Sequence, residues 1–324
     1  MVEKYVRRHV VAVGGDDLFD ITSAHARAYI DAATAPATRR AYRSDWADFA
    51  AWCERHSLTA LPAAPETVAL YLAALAQVAK VSTVGRRLTA IAKAHRAAGH
   101  DTPTKSEVIH LTMRGIRRTH GVAPTQKAPA VLADLRAMLA VLPNNLLGVR
   151  DRALLLLGFA GAFRRSELVS LDVTDLHFGE RGLTVTLRRS KADQEGEGTV
   201  KGIPFGRHGL TCPVMAVRGW LDMSGITEGA LFRPVNRHAQ VGATRLGDKA
   251  VAIVVKRAAA AAGLDPARYA GHSLRAGLAT AAAAGGAQER DIMRQTGHKS
   301  VQMVRRYIRD GELFHDNAAA SAGL

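Results

Sequence analysis

Four side chains that could act together on a phosphate lie within residues 271–307, near the C-terminal end of the sequence. His272 and Arg275 are three residues apart in an alanine-rich segment, so both fall on one face if the segment is helical. His298 follows, and Tyr307 lies in the basic run VRRYIR. A tyrosine in such a run is poorly suited to a buried position and well suited to a phosphate.

Attack of a tyrosine on a phosphodiester needs help that these residue types can give. A free tyrosine has a pKa of about 10 and is a weak nucleophile at neutral pH. The attack also places extra negative charge on the phosphoryl oxygens, which a site without a metal must meet with fixed cations and hydrogen-bond donors. Arginine does this best, because its planar guanidinium binds two oxygens at once. We therefore expect a second arginine and a proton donor elsewhere in the chain.

The residues around this set predict three helices. The alanine-rich segment should be helical and should end at the Gly-Gly pair 285–286. A short helix is expected over about 288–295, ended by Gly297, and Ser300 can cap a last helix. The last helix should pack through an apolar side that has Tyr307 beside it and consists of Val301, Val304 and Ile308.

Length and composition indicate a folded, strongly basic protein. A chain of 324 residues suggests two domains, and 48% hydrophobic residues are ample for packed cores. Lysine and arginine exceed aspartate and glutamate by 44 to 29, which gives a net charge of +15. This excess indicates a polyanionic partner, most commonly nucleic acid, with an anionic membrane surface as the alternative.

Other features exclude several classes of protein. The longest apolar run, residues 153–163, is too short to span a bilayer and predicts a buried helix instead. The first residues contain only a short hydrophobic stretch, so no signal peptide is expected. Cys53 and Cys212 lie far apart without a CxxC motif, which argues against a disulfide framework or a zinc site. A cytoplasmic protein fits these observations.

Residues 21–120 predict an all-helical block, preceded by a flexible start at residues 1–20. Apolar residues recur at helical spacing from about 22 to 33, from about 38 to 56, and onward from about residues 65, 82 and 106. Ser82 is expected to cap the fourth of these helices. The fifth is expected to bury Val108, Leu111 and Ile116.

The helical block is basic. Between residues 36 and 120, Lys and Arg outnumber Asp and Glu by 13 to 6. A solvated basic face is one interpretation, but a DNA-binding face is favoured because the basic residues concentrate on the fourth helix and at the end of the fifth. Trp46 and Trp52 are interpreted as core residues. The candidate DNA contacts are Arg39, Arg40, Arg43, Arg86, Arg87, Lys93, Arg96, Arg117 and Arg118.

A second domain is expected at residues 131–310, after a Pro- and Gly-containing linker at residues 121–130. Helical patterns cover about 133–142, 147–163, 212–223 and 247–262. Arg164 stands at the start of a short helix that includes Glu167. An alternating strand at 183–187 and a return strand at 199–205 predict a small antiparallel sheet inserted among the helices. The polar turn between the strands contains Lys191.

Five motifs now carry a resemblance to a known family: GAFRRSEL, SKADQEGEG, HSLRAG, TGHKS and VRRYIR. Each is weak alone, but all five in this order are specific. The sequence resembles the tyrosine recombinases, the phage integrase family that includes lambda integrase and Cre recombinase. The resemblance covers roughly residues 36 to 318, and the N-terminal block is similar to the helical DNA-clamping domain of Cre, the member that the sequence most resembles.

The resemblance implies a mainly α fold. An all-helical, SAM-like N-terminal domain should clamp DNA, and a mostly helical α+β catalytic domain should contain a small antiparallel sheet. Arg164 matches the first catalytic arginine, since the family pattern is Arg-x-Ser-Glu-Leu, and Glu167 matches the carboxylate that braces it. His272 matches the acceptor of the tyrosine proton, and Arg275 matches the second phosphate clamp. Tyr307 matches the nucleophile.

Two further positions depend on the resemblance. Lys191 resembles the lysine of a mobile hairpin that protonates the leaving 5′ oxygen, with Lys201 on the same hairpin as an alternative. His298 fits a position that is His in most members and Trp in Cre, so the sequence departs from Cre there. The hairpin also carries two arginines that are interpreted as general phosphate contacts, Arg188 and Arg189.

The implied reaction is attack on a DNA phosphate, which yields a 3′-phosphotyrosine link and a free 5′ hydroxyl, followed by attack of another strand's hydroxyl. Because the covalent intermediate keeps the bond energy, no metal, ATP or other cofactor is expected, and the sequence contains neither GxxxxGK[ST] nor HExxH. The implied partner is double-stranded DNA with inverted-repeat half-sites. A free monomer would assemble on two sites as a homotetramer through the tail at residues 311–324, in a bacterial or phage-encoded system.

Alternatives stay open at this point. A type IB topoisomerase shares the nucleophile chemistry, and a non-catalytic DNA-binding protein shares the basic helical block. Each residue also has a structural alternative: a surface ion pair for Arg164 and Glu167, a solvated turn lysine for Lys191, and a packing role for Tyr307. His272 could cap its own helix, and His298 could be a loop histidine.

Overall fold

The computed structural model describes residues 24–26, 28–30, 32–122, 127–188, 198–298 and 300–311, without the side chains of 309–311. The chain divides into two compact units, Met1–Thr125 and Gln126–Leu324, referred to below as the N-terminal and C-terminal units. This division falls within residues 121–130, although the domain limits set from the sequence remain predictions. The start at residues 1–20 and the tail at 312–324 lie outside the described residues.

The N-terminal unit is built from helices. Residues 24–26 and 28–30 are helical, and the longer elements are α1 (Pro36–Arg55), α2 (Pro65–Ala76), α3 (Val81–Ala97) and α4 (Glu107–His120). Proline opens both α1 and α2, where its fixed φ suits the first turn and its missing N–H leaves no bond unmade. Trp46 and Trp52 pack, partly buried, against the core of this unit, as predicted. That core includes Phe49, Val68, Leu72, Ile91 and Ile109.

Two local predictions for this unit are wrong. Helix α3 begins at Val81 with Lys80 at its N-cap and no side-chain cap, so Ser82 lies inside the first turn. Leu111 was expected on the buried side of α4 but is 47% exposed. The buried residues of α4 are Ile109, Met113 and Ile116, whose i, i+4, i+7 spacing forms one stripe that leaves Leu111 on another face.

His95 is a buried, neutral core residue of α3. Its Nε2 accepts the backbone N–H of Ala63 at 2.9 Å, which leaves Nδ1 to donate to the Ile91 carbonyl at 2.9 Å. Burial lowers the pKa of His95 below its ordinary value of 6.5, the bond to Ile91 raises it in part, and His100 lowers it. Protonation would turn Nε2 into a donor that faces the Ala63 N–H, which is also a donor, so this hydrogen bond would be lost.

We expect acid to destabilise the N-terminal unit through His95. Because the pKa of His95 is lower in the folded than in the unfolded chain, the unfolded chain binds more protons below about pH 6.5, and the free energy of unfolding falls there. Urea unfolding between about pH 8 and pH 5 measures this. In a Trp220→Phe background, Trp46 and Trp52 report on this unit, since the chain has 3 tryptophans. His95→Gln should reduce the fall in unfolding free energy at acid pH. An unchanged pH dependence would contradict the assignment of His95 as a buried, neutral residue.

The C-terminal unit is mostly helical with one small sheet. Its helices are α5 (Leu132–Ala140), α6 (Leu146–Ala160), α7 (Arg165–Ser170), α8 (Pro213–Ser224), α9 (Asp248–Ala261), α10 (Ser273–Ala284), α11 (Glu289–Thr296) and α12 (Val301–Gly311). Its strands are β1 (Leu176–Gly179), β2 (Gly182–Leu187) and β3 (Thr199–Pro204), in the antiparallel order β1-β2-β3. The predicted hairpin and the mainly α fold class are confirmed. Strand β1 was not predicted, because four residues are too few to show alternation.

The core of this unit surrounds α6 and α8. The apolar run at 153–163 forms the second half of α6 and the turn after it, and it is largely buried as predicted. Trp220 of α8 is fully buried and donates its ring N–H to the Leu231 carbonyl at 2.8 Å. Among the described residues, no helix combines the length and hydrophobicity that crossing a bilayer would need.

Helix α10 is held by a close backbone contact. Ala130 donates its N–H to the Ser273 carbonyl at 2.9 Å. A Cβ at Gly277 would lie 2.0 Å from the Ala130 carbonyl oxygen, so only glycine fits at this position. The segment that leads into α5 therefore fixes the start of the helix that carries Arg275.

Candidate active site

Arg164 is fixed at the start of α7 by Glu167. The Glu167 carboxylate accepts the backbone N–H of Arg164 at 2.9 Å and its guanidinium Nη1 at 2.5 Å. Glu167 is 4% exposed, whereas the Arg164 side chain is 20% exposed. A buried carboxylate that binds both the main chain and the side chain of one arginine holds that guanidinium in a single orientation.

Arg275 is almost completely buried, with 1% of its surface exposed. Its Nη1 donates to the Ala162 carbonyl at 2.8 Å, while Nε and Nη2 are buried and have no hydrogen-bond partner among the described residues. Burial, first, and Arg164 lower the pKa of Arg275 to about 10, while Glu167 and the Tyr307 hydroxyl raise it. The guanidinium thus stays charged at neutral pH with two donors that an anion would satisfy.

The turn between α6 and α7 presents the Ala162 carbonyl to this arginine. Ala162 is fully buried and has a φ of +46°, a left-handed conformation that alanine rarely adopts. Such a backbone costs roughly 1 kcal/mol or more and persists only where its surroundings hold it. Here it directs the Ala162 carbonyl to Arg275.

His298 follows the end of α11, where Gly297 has a φ of +65° and terminates the helix as predicted. Its Nδ1 lies 2.8 Å from the Thr296 hydroxyl, and its ring centroid lies 5.7 Å from that of Tyr307. Burial, first, and the charges of Arg275, Arg164, His272 and Lys201 lower the pKa of His298 to about 4. The imidazole is therefore neutral at physiological pH, in hydrogen-bonding surroundings rather than in a solvated loop.

Tyr307 is buried, contrary to the expectation from its basic neighbours. It is 8% exposed and packs with Val304 against the small residues Ala276, Ala279 and Ala283 of α10. These alanines leave room for the ring, while the hydroxyl lies close enough to Arg275 to raise that residue's pKa. Packing thus holds the ring, and the hydroxyl is close enough to interact electrostatically with the buried Arg275 guanidinium.

The predicted apolar side of α12 is only partly correct. Val304 is fully buried and Ile308 is half-buried, but Val301 is 37% exposed. Tyr307 takes part in the buried side itself rather than lying beside it. The cause is the alanine-rich surface of α10, which periodicity within α12 cannot reveal.

The structure therefore brings together most of the predicted site. Arg164, Glu167, Arg275, His298 and Tyr307 form one cluster in the C-terminal unit. His272 is exposed at the N-cap of α10, and its proximity helps to lower the pKa of His298. Two predicted residues, Lys191 and Arg189, lie outside the described residues.

Lys201 was considered only as an alternative to Lys191, and the structure gives it a defined place. It is 4% exposed on β3, with Nζ donating to the carbonyls of Gly161 at 2.7 Å and Gln295 at 2.6 Å. One sequence signal was available: Lys201 shares the inward face of its strand with Ile203.

The predicted DNA contacts fall into three groups. Arg39 and Arg87 are half-buried. Arg188 is exposed but lies 2.7 Å from Asp175 and 3.4 Å from Asp172. The others are exposed: Arg40, Arg43, Arg86, Lys93, Arg96, Arg117 and Arg118.

Two of these arginines also hold α1 against α3, a role that the sequence did not indicate. Arg86 makes two bonds to the buried Asp45, at 2.7 and 2.9 Å. Arg87 pairs with Asp48 and donates to the Tyr71 hydroxyl at 2.7 Å. Their guanidinium groups are therefore already engaged in contacts with side chains of the N-terminal unit.

Comparison with known proteins decides the family. Residues 132–312 match the phage integrase family, which is more than half of the chain. The chain belongs to that family. This tyrosine recombinase is 43% identical over 300 residues to the integrase/recombinase XerD homolog of Selenomonas ruminantium, a match that covers 91% of this chain and 88% of that protein. The resemblance inferred from the five motifs is confirmed, and the enzyme is a site-specific recombinase.

Cre was expected to be the most similar member, but it is a more distant relative than the XerD homolog, and solved recombinase structures show the shared fold. The recombinase is 26% identical over 283 residues to Cre of Escherichia phage P1, which covers 81% of this chain and 80% of Cre. A crystal structure of lambda integrase residues 75–356, a dimer bound to a core site, superposes with a TM-score of 0.58 at 17% identity and covers 85% of this chain and 89% of that one. XerH recombinase bound to palindromic difH substrate gives a TM-score of 0.59 at 17% identity, with 79% and 72% covered.

Proposed function

We propose that this recombinase cuts and rejoins double-stranded DNA through a covalent 3′-phosphotyrosine intermediate on Tyr307, without a metal ion or ATP. The observation that carries the proposal is the buried guanidinium of Arg275. Its Nε and Nη2 have no hydrogen-bond partner among the described residues, and it lies within electrostatic reach of Arg164 and Tyr307. We infer that a phosphate bound by these donors receives the attack of the Tyr307 oxygen.

In the proposed cleavage step, the Tyr307 oxygen bonds to phosphorus while the bond from phosphorus to the 5′ oxygen breaks. His272 accepts the phenol proton, and Lys191 donates a proton to the departing 5′ oxygen. In the rejoining step, the 5′ hydroxyl of another strand attacks the phosphotyrosine and the tyrosine leaves. One phosphodiester is exchanged for another, so no external energy source is needed.

The two arginines supply the charge that this step requires. Glu167 orients Arg164, and the Ala162 carbonyl orients Arg275, so neither guanidinium has to reorganise as negative charge develops on the phosphoryl oxygens. His298, neutral and buried, adds a hydrogen-bonding ring beside Tyr307. Fixed cations of this kind take the place that a metal ion has in other phosphoryl-transfer sites.

The proposed partner is DNA with two inverted half-sites, bound by the monomer and then paired in a homotetramer. The net charge of +15 and the exposed basic residues of α1, α3 and α4 support DNA binding. The solved lambda integrase is a dimer on its core site, and XerH was solved on a palindromic substrate, which agrees with this arrangement. Action on bacterial or phage DNA would place the enzyme in the cytoplasm.

Covalent capture tests the proposed function. Restriction fragments of the DNA that flanks the coding sequence would be nicked, incubated with the purified enzyme in chelator without ATP, and denatured in detergent. We expect one fragment to remain attached to protein, and footprinting should find inverted half-sites in it. Failure of every fragment to attach would contradict the proposal. Relaxation of a supercoiled plasmid that lacks the captured site would instead favour a type IB topoisomerase.

Deleting residues 311–324 should weaken the pairing of two DNA sites and leave single-site binding nearly intact. The expected cause is loss of a tail that docks on a neighbouring protomer through Leu313 and Phe314, which lie outside the described residues. Mobility shifts with one-site and two-site DNA measure the two steps. A full-length variant with both residues changed to serine tests whether these two side chains account for the effect, and it should behave like the deletion. Undiminished pairing by the deleted chain would reject the tail as the link.

A further inference from the structure

Lys201 occupies an unusual position for a lysine. It points inward from β3, and its ammonium lies 5.0 Å from the centre of the Phe163 ring as well as within hydrogen-bond distance of two carbonyls. Lysine is seldom buried to this extent, because removing an ammonium from water is costly unless it is paired.

Burial and nearby positive charges oppose the charge of Lys201, and the two carbonyls that bind it offset this only in part. Burial, first, and the positive charges of Arg275 and Arg164 lower the pKa of Lys201 to about 8, although Glu167 raises it. An apolar residue such as the neighbouring Ile203 would avoid this penalty. The ammonium, however, donates hydrogen bonds to two separate segments of backbone at once, and an apolar side chain cannot do this.

Those two stretches carry the catalytic candidates. Gly161 begins the turn that leads to Arg164. The next carbonyl in this turn, that of Ala162, accepts a hydrogen bond from Arg275. Gln295 lies in the last turn of α11, three residues before His298. The Gln295 amide strengthens the same junction, since it donates to the Ala160 carbonyl at 2.8 Å and to the Gly202 carbonyl at 3.3 Å.

We propose that Lys201 is a positioning residue of the cleavage site, whose ammonium joins the Gly161 turn to the end of α11 and so fixes Arg164 and His298 relative to each other. This inference rests on the proposed function. It assigns no proton transfer to Lys201, because two of its N–H groups are engaged by carbonyls, and it leaves protonation of the 5′ oxygen to Lys191.

The test compares Lys201→Met, which keeps the length of the side chain but removes its donors, with Lys191→Ala. The rate of adduct formation is measured in single turnover with saturating DNA. The DNA carries the captured site and a nick, so that the short strand freed by cleavage diffuses away and cannot be rejoined. A second duplex has sulfur in place of the bridging 5′ oxygen, because a thiolate leaves without a proton donor. Val217→Ala, a core change in α8, is the control for lost stability, since Val217 is fully buried.

We expect Lys201→Met to bind DNA normally but to cleave both duplexes more slowly by on the order of 10- to 100-fold, the scale of a misplaced catalytic group. Sulfur should restore Lys191→Ala and should not restore Lys201→Met. Cleavage by Lys201→Met at the wild-type rate would overturn the proposal. Rescue of Lys201→Met by sulfur would overturn it too and would make Lys201 the proton donor.

A second measurement needs no DNA, so it separates failure of this inference from failure of the proposed function. The His298 imidazole is titrated by NMR and assigned with His298→Gln. Loss of the junction should expose the ring and remove a nearby charge, so the pKa of His298 should rise from about 4 towards 6.5 in Lys201→Met and stay unchanged in Val217→Ala. An unmoved titration in Lys201→Met would contradict positioning. Should Lys201→Met fail to fold, Gln295→Met, at a half-buried position, should give the same pattern of slow cleavage and raised pKa, and its absence would count against the proposal.

Discussion

Arg275→Ala should slow strand cleavage by at least about 10²-fold, the usual effect of removing one donor that stabilises a transition state. Arg275 is expected to contribute two hydrogen bonds and a full positive charge where negative charge develops, because its Nε and Nη2 are unpaired among the described residues. Affinity for DNA should change little, since one phosphate contact among many is lost. Single-turnover adduct formation and mobility shifts on the captured site measure the two quantities.

Two further variants sharpen this prediction. Arg275→Lys keeps the charge but loses the planar fork, so it should recover only part of the rate. Arg290→Ala removes an exposed arginine of α11 and should cleave at the wild-type rate. Thermal unfolding must show that each variant is folded at the assay temperature. Cleavage by Arg275→Ala at a rate close to that of the wild type would exclude Arg275 as a phosphate clamp.

Tyr307→Phe should bind the same DNA and form no covalent bond with it. The change removes one oxygen atom and leaves the ring that packs against α10, so the fold and the DNA-binding surface should persist. Because the phenol oxygen is the proposed nucleophile, no other group would take its place. Detergent-resistant adducts and mobility shifts, measured on the same preparation, separate the two properties.

Tyr269→Phe is the matched control for this loss of a hydroxyl. Tyr269 is buried in the same unit, and its hydroxyl donates to Asp134 at 3.0 Å. The control variant is expected to lose some stability, about 1 kcal/mol for a buried hydrogen bond, and to keep full cleavage activity. An adduct that survives in Tyr307→Phe would refute the assignment of the nucleophile.

Local patterns in the sequence predicted most of the helices, and their success has a simple cause. Proline at the start of α1 and α2, the apolar run in α6 and Gly297 after α11 each act within a few residues. The candidate site came from elsewhere: residue chemistry suggested a phosphate site, and the family resemblance supplied the other candidate residues. Spacing alone could not have linked Arg164 to Tyr307.

Apart from the misplaced cap at Ser82 and the exposed Leu111, the features that the sequence did not reveal are contacts between distant segments. Tyr307 is buried because the alanines of α10 accept its ring, and Lys201 is buried because the carbonyls of Gly161 and Gln295 meet at one point. Arg86 faces Asp45 on another helix rather than solvent alone. Each of these depends on residues tens of positions away, so periodicity within one element could not indicate them.

Mass spectrometry of the protein–DNA adduct tests the central claim most directly. After nuclease treatment, proteolysis at acidic residues should release residues 292–310, a peptide whose one tyrosine is Tyr307. The account predicts that this peptide carries the mass of a 3′-linked nucleotide and that fragmentation places it on Tyr307. A nucleotide attached to any other residue, or cut DNA with no attached nucleotide at all, would contradict it.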